Sequence, residues 1–175
     1  MDPTHRPFRF GVVAPQARSG AEYIALARRV EELGYSTLLL PDTPGPVLAP
    51  FSALGVVAGA TTKLRVGNWV LANDFRHPVQ VAREAATLAF LSGGRFDLGL
   101  GPGRDDNDYA SLGLAEVKGR GGVRLKKLGE TLQIMRALFS GERVTFNGTY
   151  YQVGGATLYP VPERPPPILV AAARP

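Results

Sequence analysis

The sequence predicts an α/β protein with a parallel sheet, and three observations lead to this class. Candidate strands and helices alternate from the start of the chain, and a hairpin and a last strand follow them. The loops between them are short, as in βα units. The segment 36–40 is apolar on both faces, which is typical of a parallel strand covered on both sides, and the segment 64–70 again has the composition of a buried strand. Two architectures fit this pattern: an open doubly wound sheet, or part of a (β/α)8 barrel.

The first unit has clear signals at both ends of its helix. A strand is predicted over 8–13. Ser19 and Glu22 have the spacing of a capping box, in which the serine caps the helix and the glutamate reaches back. Apolar residues recur at helical spacing over 21–33, and Gly34 suits the position just after a helix. We therefore predict the first helix over 21–33.

The next units repeat this order. After the strand at 36–40, a helix is predicted over 50–60 and a third strand over 64–70. A loop then leads to Pro78, a residue favoured in the first turn of a helix, and that helix runs to about residue 91. The fourth strand is predicted over 95–100, before a glycine-rich turn.

The last third of the chain is less regular. A polar segment over 104–122 precedes a helix whose apolar face carries Leu125, Leu128, Leu132, Met135 and Phe139. A hairpin insertion is predicted over 143–153, with Asn147-Gly148 in a type I′ turn. A proline-rich connector over 160–167 leads to a fifth strand at 168–172. We expect residues 1–175 to form a single domain.

Composition excludes several classes of function. The 175 residues contain no cysteine, so neither a disulfide framework nor a thiolate metal site is expected. The net charge of +5 is scattered, whereas a nucleic-acid-binding protein would gather its basic residues on one face. No apolar run approaches the roughly 20 residues of a membrane span. Because the N-terminus also lacks the apolar stretch of a signal peptide, a cytoplasmic protein is predicted.

Candidate site residues follow the strands, because both architectures bind ligands at the carboxyl ends of the strands. Asp42 comes just after the second strand, where it either binds a ligand or caps a loop. Gly99, Gly101 and Gly103 would allow close approach of a flat ligand or a phosphate, although their spacing differs from a dinucleotide fingerprint. Trp69 and other aromatic side chains near the strand ends suit either a flat ring or core packing.

Other polar residues are assigned to structure. His77 precedes Pro78 and is interpreted as a helix-entry residue. The acidic cluster 105–108 lacks the glycine and terminal glutamate of a calcium loop, so a solvated loop is predicted and no metal site. Neither a G-x-S-x-G motif nor a cysteine nucleophile is present. The residues alone therefore identify no catalytic group.

Several blocks of sequence together resemble the luciferase-like monooxygenase superfamily, and within it most closely the coenzyme F420-dependent oxidoreductases. These blocks extend over nearly the whole chain and include Leu40-Pro41-Asp42, Phe75-Arg76-His77-Pro78 and the segment from Leu91 to Gly101. The resemblance implies the first half of a (β/α)8 barrel: about five parallel strands with outer helices and a small hairpin excursion.

The resemblance also implies a set of cofactor-binding residues at the carboxyl rim. It implies a bulge with a non-prolyl cis peptide bond at Trp69-Val70, against which the cofactor ring would rest. Ala72 corresponds to a position near the edge of the ring, where Asn73 or Asp74 would substitute for a polar residue. Arg104 stands where some relatives have an acidic catalytic group, so the catalytic residues stay unassigned. The full predicted cofactor set is Asp42, Thr43, Trp69, Val70, Ala72, Asn73, Gly101, Gly103, Arg104 and Ala172.

The implied activity is hydride transfer between the deazaflavin F420 and a small organic substrate. An FMN-dependent monooxygenase and a non-catalytic flavin-binding or assembly protein are the alternatives. Because the last three strands of a barrel are not represented, we expect a fragment, a natural degenerate member, or a chain completed by a partner. A homodimer or a second chain that completes the barrel is the predicted partner, with no nucleic acid and no membrane involved.

Overall fold

The computed structural model describes residues 8–103, 106–114 and 121–171. The strands are β1 Gly11–Val13, β2 Thr37–Leu40, β3 Arg65–Asn68, β4 Leu71–Ala72, β5 Phe96–Gly101, β6 Val144–Asn147, β7 Gln152–Ala156 and β8 Ile168–Val170. The helices are α1 Gly20–Glu32, α2 Pro50–Ala60, α3 Pro78–Leu91, α4 Asp106–Ser111 and α5 Gly121–Phe139, with a 3-10 turn at Asn73–Phe75.

The main sheet is entirely parallel, and its strands lie side by side in sequence order. β1 pairs with β2, β2 with β3, β3 with β5, and β5 with β8. The short strand β4 continues β3 along the same neighbour, β5. The register with β5 changes by one residue between Gly67 and Leu71, so the backbone bulges there.

The helices form one layer on one side of this sheet. α1 contacts α2, α2 contacts α3, and α3 contacts α5, so each helix packs beside the next. A doubly wound sheet would reverse its strand order and place helices on both faces. The sequential order and the single helix layer therefore agree with part of a (β/α)8 barrel, as predicted from the resemblance. The sheet is not a closed barrel.

The core lies between the sheet and the helices. Strand side chains on this face are completely buried, among them Leu38, Val66 and Leu98. The opposite face holds apolar side chains that remain open to solvent, among them Val13 and Leu169, which are 48% and 43% exposed. The two faces of one parallel sheet thus differ sharply in burial.

Local signals at the first helix act largely as predicted. The Ser19 hydroxyl accepts a hydrogen bond from the Glu22 N–H at 3.1 Å, which caps α1. The Glu22 carboxylate reaches back to the N–H of Arg18, one residue before the cap. Gly34 has a φ of 80°, the left-handed conformation that favours glycine after a helix. Within the described part of the chain, no helix combines the length and apolar character needed to cross a membrane.

Three features of the predicted elements differ from the structure. The first strand begins at Gly11 rather than at residue 8, and the Phe10 carbonyl before it accepts from both the N–H and the hydroxyl of Ser36. Helix α4 lies inside the segment predicted as irregular. In α5, Leu125 is 61% exposed instead of lying on the buried face. Arg124 takes the inward position, with its guanidinium 5.1 Å from the Tyr109 ring centroid.

The hairpin is present, but its turn is not the predicted type I′ turn. Asn147 pairs with Gln152, so four residues connect β6 and β7 instead of two. The carboxylate of Glu130 on α5 accepts the N–H groups of Thr149, Tyr150 and Tyr151 at 2.7–3.0 Å. A carboxylate on the neighbouring helix therefore organises this loop, which a local turn motif cannot predict.

Candidate functional site

A cavity of about 620 Å³ opens at the carboxyl ends of the sheet strands. Its volume lies within the usual range of ligand sites, roughly 300–1,000 Å³. The walls come from the loop after β2, the bulge between β3 and β4, and the turn after β5. The lining residues are Pro41, Asp42, Thr43, Trp69, Val70, Leu71, Ala72, Phe75, Gly101, Pro102, Gly103, Asp108 and Ala171.

The bulge forms the floor of this cavity. The peptide bond between Trp69 and Val70 is cis, as the resemblance implies. The Trp69 side chain is 60% exposed and lies at the cavity. An exposed indole at the mouth of a cavity offers a flat apolar face to a ring-shaped ligand.

Two glycines of β5 make room for the bulge. A Cβ at Gly99 would collide with the backbone carbonyl oxygen of Asn68. A Cβ at Gly101 would lie 2.8 Å from Cγ2 of Val70. These glycines were predicted to allow a phosphate or a flat ligand to approach. In the structure they make room for the neighbouring strand, so they give no support to a dinucleotide fingerprint.

The third glycine serves a different contact. Gly103 has a φ of 76°, and a Cβ there would collide with the Tyr109 hydroxyl. Tyr109 is fully buried, and its hydroxyl lies 3.1 Å from the carbonyl oxygen of Pro102. The glycine therefore lets the turn after β5 close over a tyrosine of α4.

Asp42 binds the bulge to the end of β2. Its two carboxylate oxygens accept from Arg76 at 2.7 and 2.9 Å, a bidentate pair. Oδ2 also accepts the N–H of Ala72 in β4 at 3.1 Å. The Asp42 side chain is only 6% exposed, so this pairing compensates a buried charge.

Charges around Arg76 shift two pKa values. Burial acts to lower the pKa of Arg76, but the hydrogen bonds and charge of Asp42, with the charge of Glu84, raise it overall. Burial raises the pKa of Glu84, and the negative charge of Asp42 adds to this although Arg76 opposes it. Arg76 therefore stays protonated as the fixed cation beneath this side of the cavity.

A second acidic residue near the bulge is also paired. Asp74 has a side chain 1% exposed, and its Oδ1 lies 2.7 Å from Nζ of Lys127 on α5. Its Oδ2 accepts the Tyr109 hydroxyl at 3.1 Å. Asp74 thus lies behind the cavity wall and does not line the cavity, unlike the ring-edge position suggested for it.

The hairpin loop reaches the same wall. The Asn73 amide donates to the Tyr151 hydroxyl at 3.2 Å, and the rings of His77 and Tyr151 meet edge to face with centroids 5.6 Å apart. His77 also accepts the N–H of Val79 and so caps α3, as expected for a helix-entry residue. These contacts join the excursion to the segment that follows the bulge.

The structure brings most of the predicted cofactor residues together at one cavity. Those that line it are Asp42, Thr43, Trp69, Val70, Ala72, Gly101 and Gly103. Asn73 is not among the lining residues, because it is buried and its amide is bound to Tyr151. Arg104 and Ala172 lie outside the described residues.

Sequence reasoning missed the arginine partner of Asp42 and the lysine partner of Asp74. Arg76 and Lys127 are separated from their partners by 34 and 53 positions, and no local motif joins either pair. Phe75 and Asp108 also line the cavity but are not in the predicted cofactor set; Phe75 was considered only among the aromatic side chains near the strand ends. In the described part of the chain, no group of three or more histidine and carboxylate side chains is arranged to hold a metal ion.

A parallel sheet in sequence order, with a cavity at its carboxyl rim, defines an α/β protein of the barrel type with a candidate ligand site. The sequence model of the luciferase-like monooxygenases matches residues 7–175, and the chain belongs to this family. An F420-dependent glucose-6-phosphate dehydrogenase from Microbacterium testaceum is 35% identical over 97% of this chain and 52% of its own length. An F420-dependent hydroxymycolic acid dehydrogenase from Mycobacterium tuberculosis is 36% identical over 87% of this chain and 44% of its own.

Solved structures share this fold. A monooxygenase from Streptomyces bottropensis matches with a TM-score of 0.81 and 25% identity, over 95% of this chain and 54% of its own. The coenzyme F420-dependent tetrahydromethanopterin reductase from Methanopyrus kandleri matches with a TM-score of 0.81 and 21% identity, over 94% and 50%. The chain therefore spans about half the length of the relatives it matches.

Proposed function

We propose that this chain forms the cofactor-binding half of an F420-dependent oxidoreductase that transfers hydride between the deazaflavin and a small organic substrate. The observation that carries the proposal is the cavity at the carboxyl rim, with an exposed indole on a bulged strand. The F420-dependent dehydrogenases among the relatives, at 35–36% identity, support the same cofactor. The chain as one domain with a hairpin insertion is part of this proposal.

The residues present fit a tricyclic ring. The indole of Trp69 and the ring of Phe75 give the cavity apolar walls, and Gly101 and Gly103 expose backbone without side chains. When bound, F420 supplies or accepts the hydride, and the redox chemistry belongs to the cofactor. We assign Thr43, Trp69, Val70, Ala72, Gly101 and Gly103 to contact with the cofactor.

Asp42 has a supporting role in this proposal. Both of its oxygens are held by Arg76, and one also holds the Ala72 N–H, so the carboxylate fixes the bulge. Arg76 and the Ala72 N–H engage the carboxylate oxygens within the protein, and the Asp42 side chain is only 6% exposed. We therefore assign proton transfer to neither Asp42 nor Arg76, and the proton-transferring group stays unassigned.

An FMN-dependent monooxygenase is the second candidate. It is favoured by the match to the Streptomyces monooxygenase, which has the same TM-score as the match to the F420-dependent reductase. Both cofactors carry a flat tricyclic ring, and the cavity described here accommodates either. We favour F420 over FMN because the relatives with higher sequence identity are F420-dependent dehydrogenases.

We also propose that activity requires further polypeptide, from a second chain, a second copy or a longer protein. The chain spans about half the length of its relatives, and among the residues that the structure describes β1 and β8 are each paired on one side only. Unpaired edge strands are aggregation-prone and are usually covered. Location in the cytoplasm stays a prediction.

A fluorescence titration tests the cofactor directly. Trp69 is the single tryptophan of the sequence, so its emission reports the cavity without background from other indoles. We expect F420 to quench this emission with saturation, FMN to quench it more weakly, and NADPH to leave it unchanged. Equal or tighter binding of FMN would favour the monooxygenase, and no response to either cofactor would contradict the proposed function.

A further inference from the structure

Two wall segments of the cavity leave the sheet and are joined again by a buried tyrosine. The first wall is residues 71–75, and the second wall is residues 101–103. They are paired as strands only at their base, where Ala72 lies beside Gly101. Beyond this pair, the hydroxyl of Tyr109 lies 3.1 Å from Asp74 of the first wall and 3.1 Å from Pro102 of the second.

The same tyrosine contacts both walls with its ring. Phe75 of the first wall meets the Tyr109 ring nearly edge to face, with centroids 5.4 Å apart. Gly103 of the second wall packs so closely that no Cβ would fit there. Because Phe75 and Gly103 themselves line the cavity, the position of Tyr109 sets the distance between two surfaces that a ligand would touch.

Asp74 holds the tyrosine hydroxyl from behind. Its carboxylate is 1% exposed and is bound by Lys127 of α5 at 2.7 Å. A hydrogen bond to a charged acceptor is stronger than one to a neutral acceptor. Lys127 also lies 5.8 Å from the Tyr151 ring centroid, so α5 holds the first wall and the hairpin loop at one point.

We propose that Tyr109 and Asp74 are positioning residues of the cofactor cavity. They fix the separation of its two walls through the Tyr109 ring and the single hydroxyl proton, for which the Asp74 carboxylate and the Pro102 carbonyl oxygen are both acceptors at 3.1 Å. The inference rests on the proposed function for its ligand, F420. It assigns a role to the Asp74–Lys127 pair, which the proposed function does not use. It also gives α5 and the hairpin loop, which contact the first wall from behind, a part in shaping the cavity.

The test compares two conservative variants with a control at the far end of the sheet. Tyr109→Phe removes only the hydroxyl, and Asp74→Asn removes the charge but keeps the size. Glu31→Gln is the control, because Glu31 accepts three backbone N–H groups at 62–64 and does not line the cavity. The control is expected to lower stability and to leave the F420 dissociation constant within about twofold.

Two measurements are made on each variant of the full chain. In hydrogen exchange without ligand, we expect faster exchange of both walls in Tyr109→Phe and Asp74→Asn, but a uniform change in Glu31→Gln. In the Trp69 fluorescence titration, we expect F420 to bind roughly tenfold more weakly to both wall variants, as for the loss of a charged hydrogen bond. A purely structural role would change stability without this change in affinity.

The outcomes separate the two proposals. Unchanged exchange of both walls in Tyr109→Phe overturns the positioning role, whether or not the wild-type chain binds F420. Faster exchange with an unchanged F420 dissociation constant also overturns it. Failure of the wild-type chain to bind F420 overturns the proposed function, and exchange alone then decides whether Tyr109 fixes the walls. If Asp74→Asn does not fold, Tyr109→Phe decides the result.

Discussion

Two arginine–aspartate pairs lie at opposite ends of the same sheet. At the amino end, Arg65 binds Asp97 at 2.6 and 2.9 Å; at the carboxyl end, Arg76 binds Asp42 at 2.7 and 2.9 Å. The arginines are 25% and 27% exposed, and both aspartates are 6% exposed. Geometry and burial are thus nearly equal at the two ends.

The pairs differ in what their spare hydrogen-bonding groups bind. Arg65 directs further N–H groups to the carbonyl oxygens of Gly94 and Phe96, which belong to the entry of β5. Asp42 instead accepts the N–H of Ala72, next to the bulge that lines the cavity. The amino-end pair therefore holds regular structure, whereas the carboxyl-end pair holds the irregular backbone that lines the cavity. This matches the general division of barrels into a stability face and a functional face.

The largest effect is expected from Asp97→Ala at the amino end. It leaves the partly buried Arg65 guanidinium without its counter-ion, which costs about 3 kcal/mol of unfolding free energy. Urea denaturation measures this loss. The F420 affinity of the folded protein, measured by Trp69 quenching, should stay within about twofold, because the pair lies away from the cavity. A tenfold loss of F420 affinity would show that the amino-end pair also affects the cavity, contrary to this prediction.

The matched substitutions Arg76→Gln and Arg65→Gln test the difference between the two ion pairs directly. Each lowers the unfolding free energy by about 2 kcal/mol, since a buried aspartate loses its ion pair but a neutral donor remains. Only Arg76→Gln should also weaken F420 binding, by roughly tenfold, because it releases the bulge. Equal F420 affinities for the two variants would show that the carboxyl-end pair is structural alone.

A smaller effect is expected at the glycines of the bulge. Gly101→Ala places a Cβ against the end of the Val70 side chain, which can shift, so we expect a loss of about 1–2 kcal/mol. F420 affinity should fall severalfold, because Val70 lines the cavity. Gly55→Ala is the control: its Cβ faces open space on α2, and better helix propensity should stabilise the fold by about 0.5–1 kcal/mol. Thermal unfolding measures the stability of each variant, and the Trp69 fluorescence titration measures its F420 affinity.

The smallest effect is a pH dependence confined to the amino end. Burial acts to raise the pKa of Glu31, but the N–H groups of residues 62–64 and the charge of Arg95 lower it overall. Because the folded pKa lies below the unfolded one, this carboxylate stabilises the fold above the ordinary pKa of 4.5. The stabilisation is lost as the pH falls through the lowered folded value.

Urea midpoints of the wild type and Glu31→Gln, measured from pH 7 to pH 3, check this prediction. The difference between the two proteins should be constant near neutrality and should shrink towards the acid end. A difference that grows as the pH falls would contradict the assigned direction of the pKa shift.

Much of the fold could be predicted from local pattern. The limits of α2 and α3 agree with the prediction, because Pro50 and Pro78 begin them and polar or glycine residues end them. Helix α4 was missed because six residues in a polar segment carry too little periodicity. The hairpin turn was assigned to the wrong type, because Glu130 supplies its hydrogen bonds from another element.

Seven of the ten predicted cofactor residues line the cavity, and they could be found because parallel strands bring their carboxyl ends together. The residues that hold these lining residues in place could not be predicted. Arg76, Lys127 and Tyr109 act through contacts with residues 34, 53 and 35 positions away. Such contacts leave no spacing rule in a single sequence.

Periodicity and short-range signals were enough to predict the alternation of elements, the parallel sheet and the rim at which polar and glycine residues gather. The side of the sheet that the helices cover, the role of Gly99 in making room for a neighbouring strand, and the pairing of Asp42 and Asp74 became visible in the folded chain alone. The physical reason is that burial and ion pairing depend on which distant groups become neighbours. Neighbours of that kind are set by packing of the whole chain, not by the residues next in sequence.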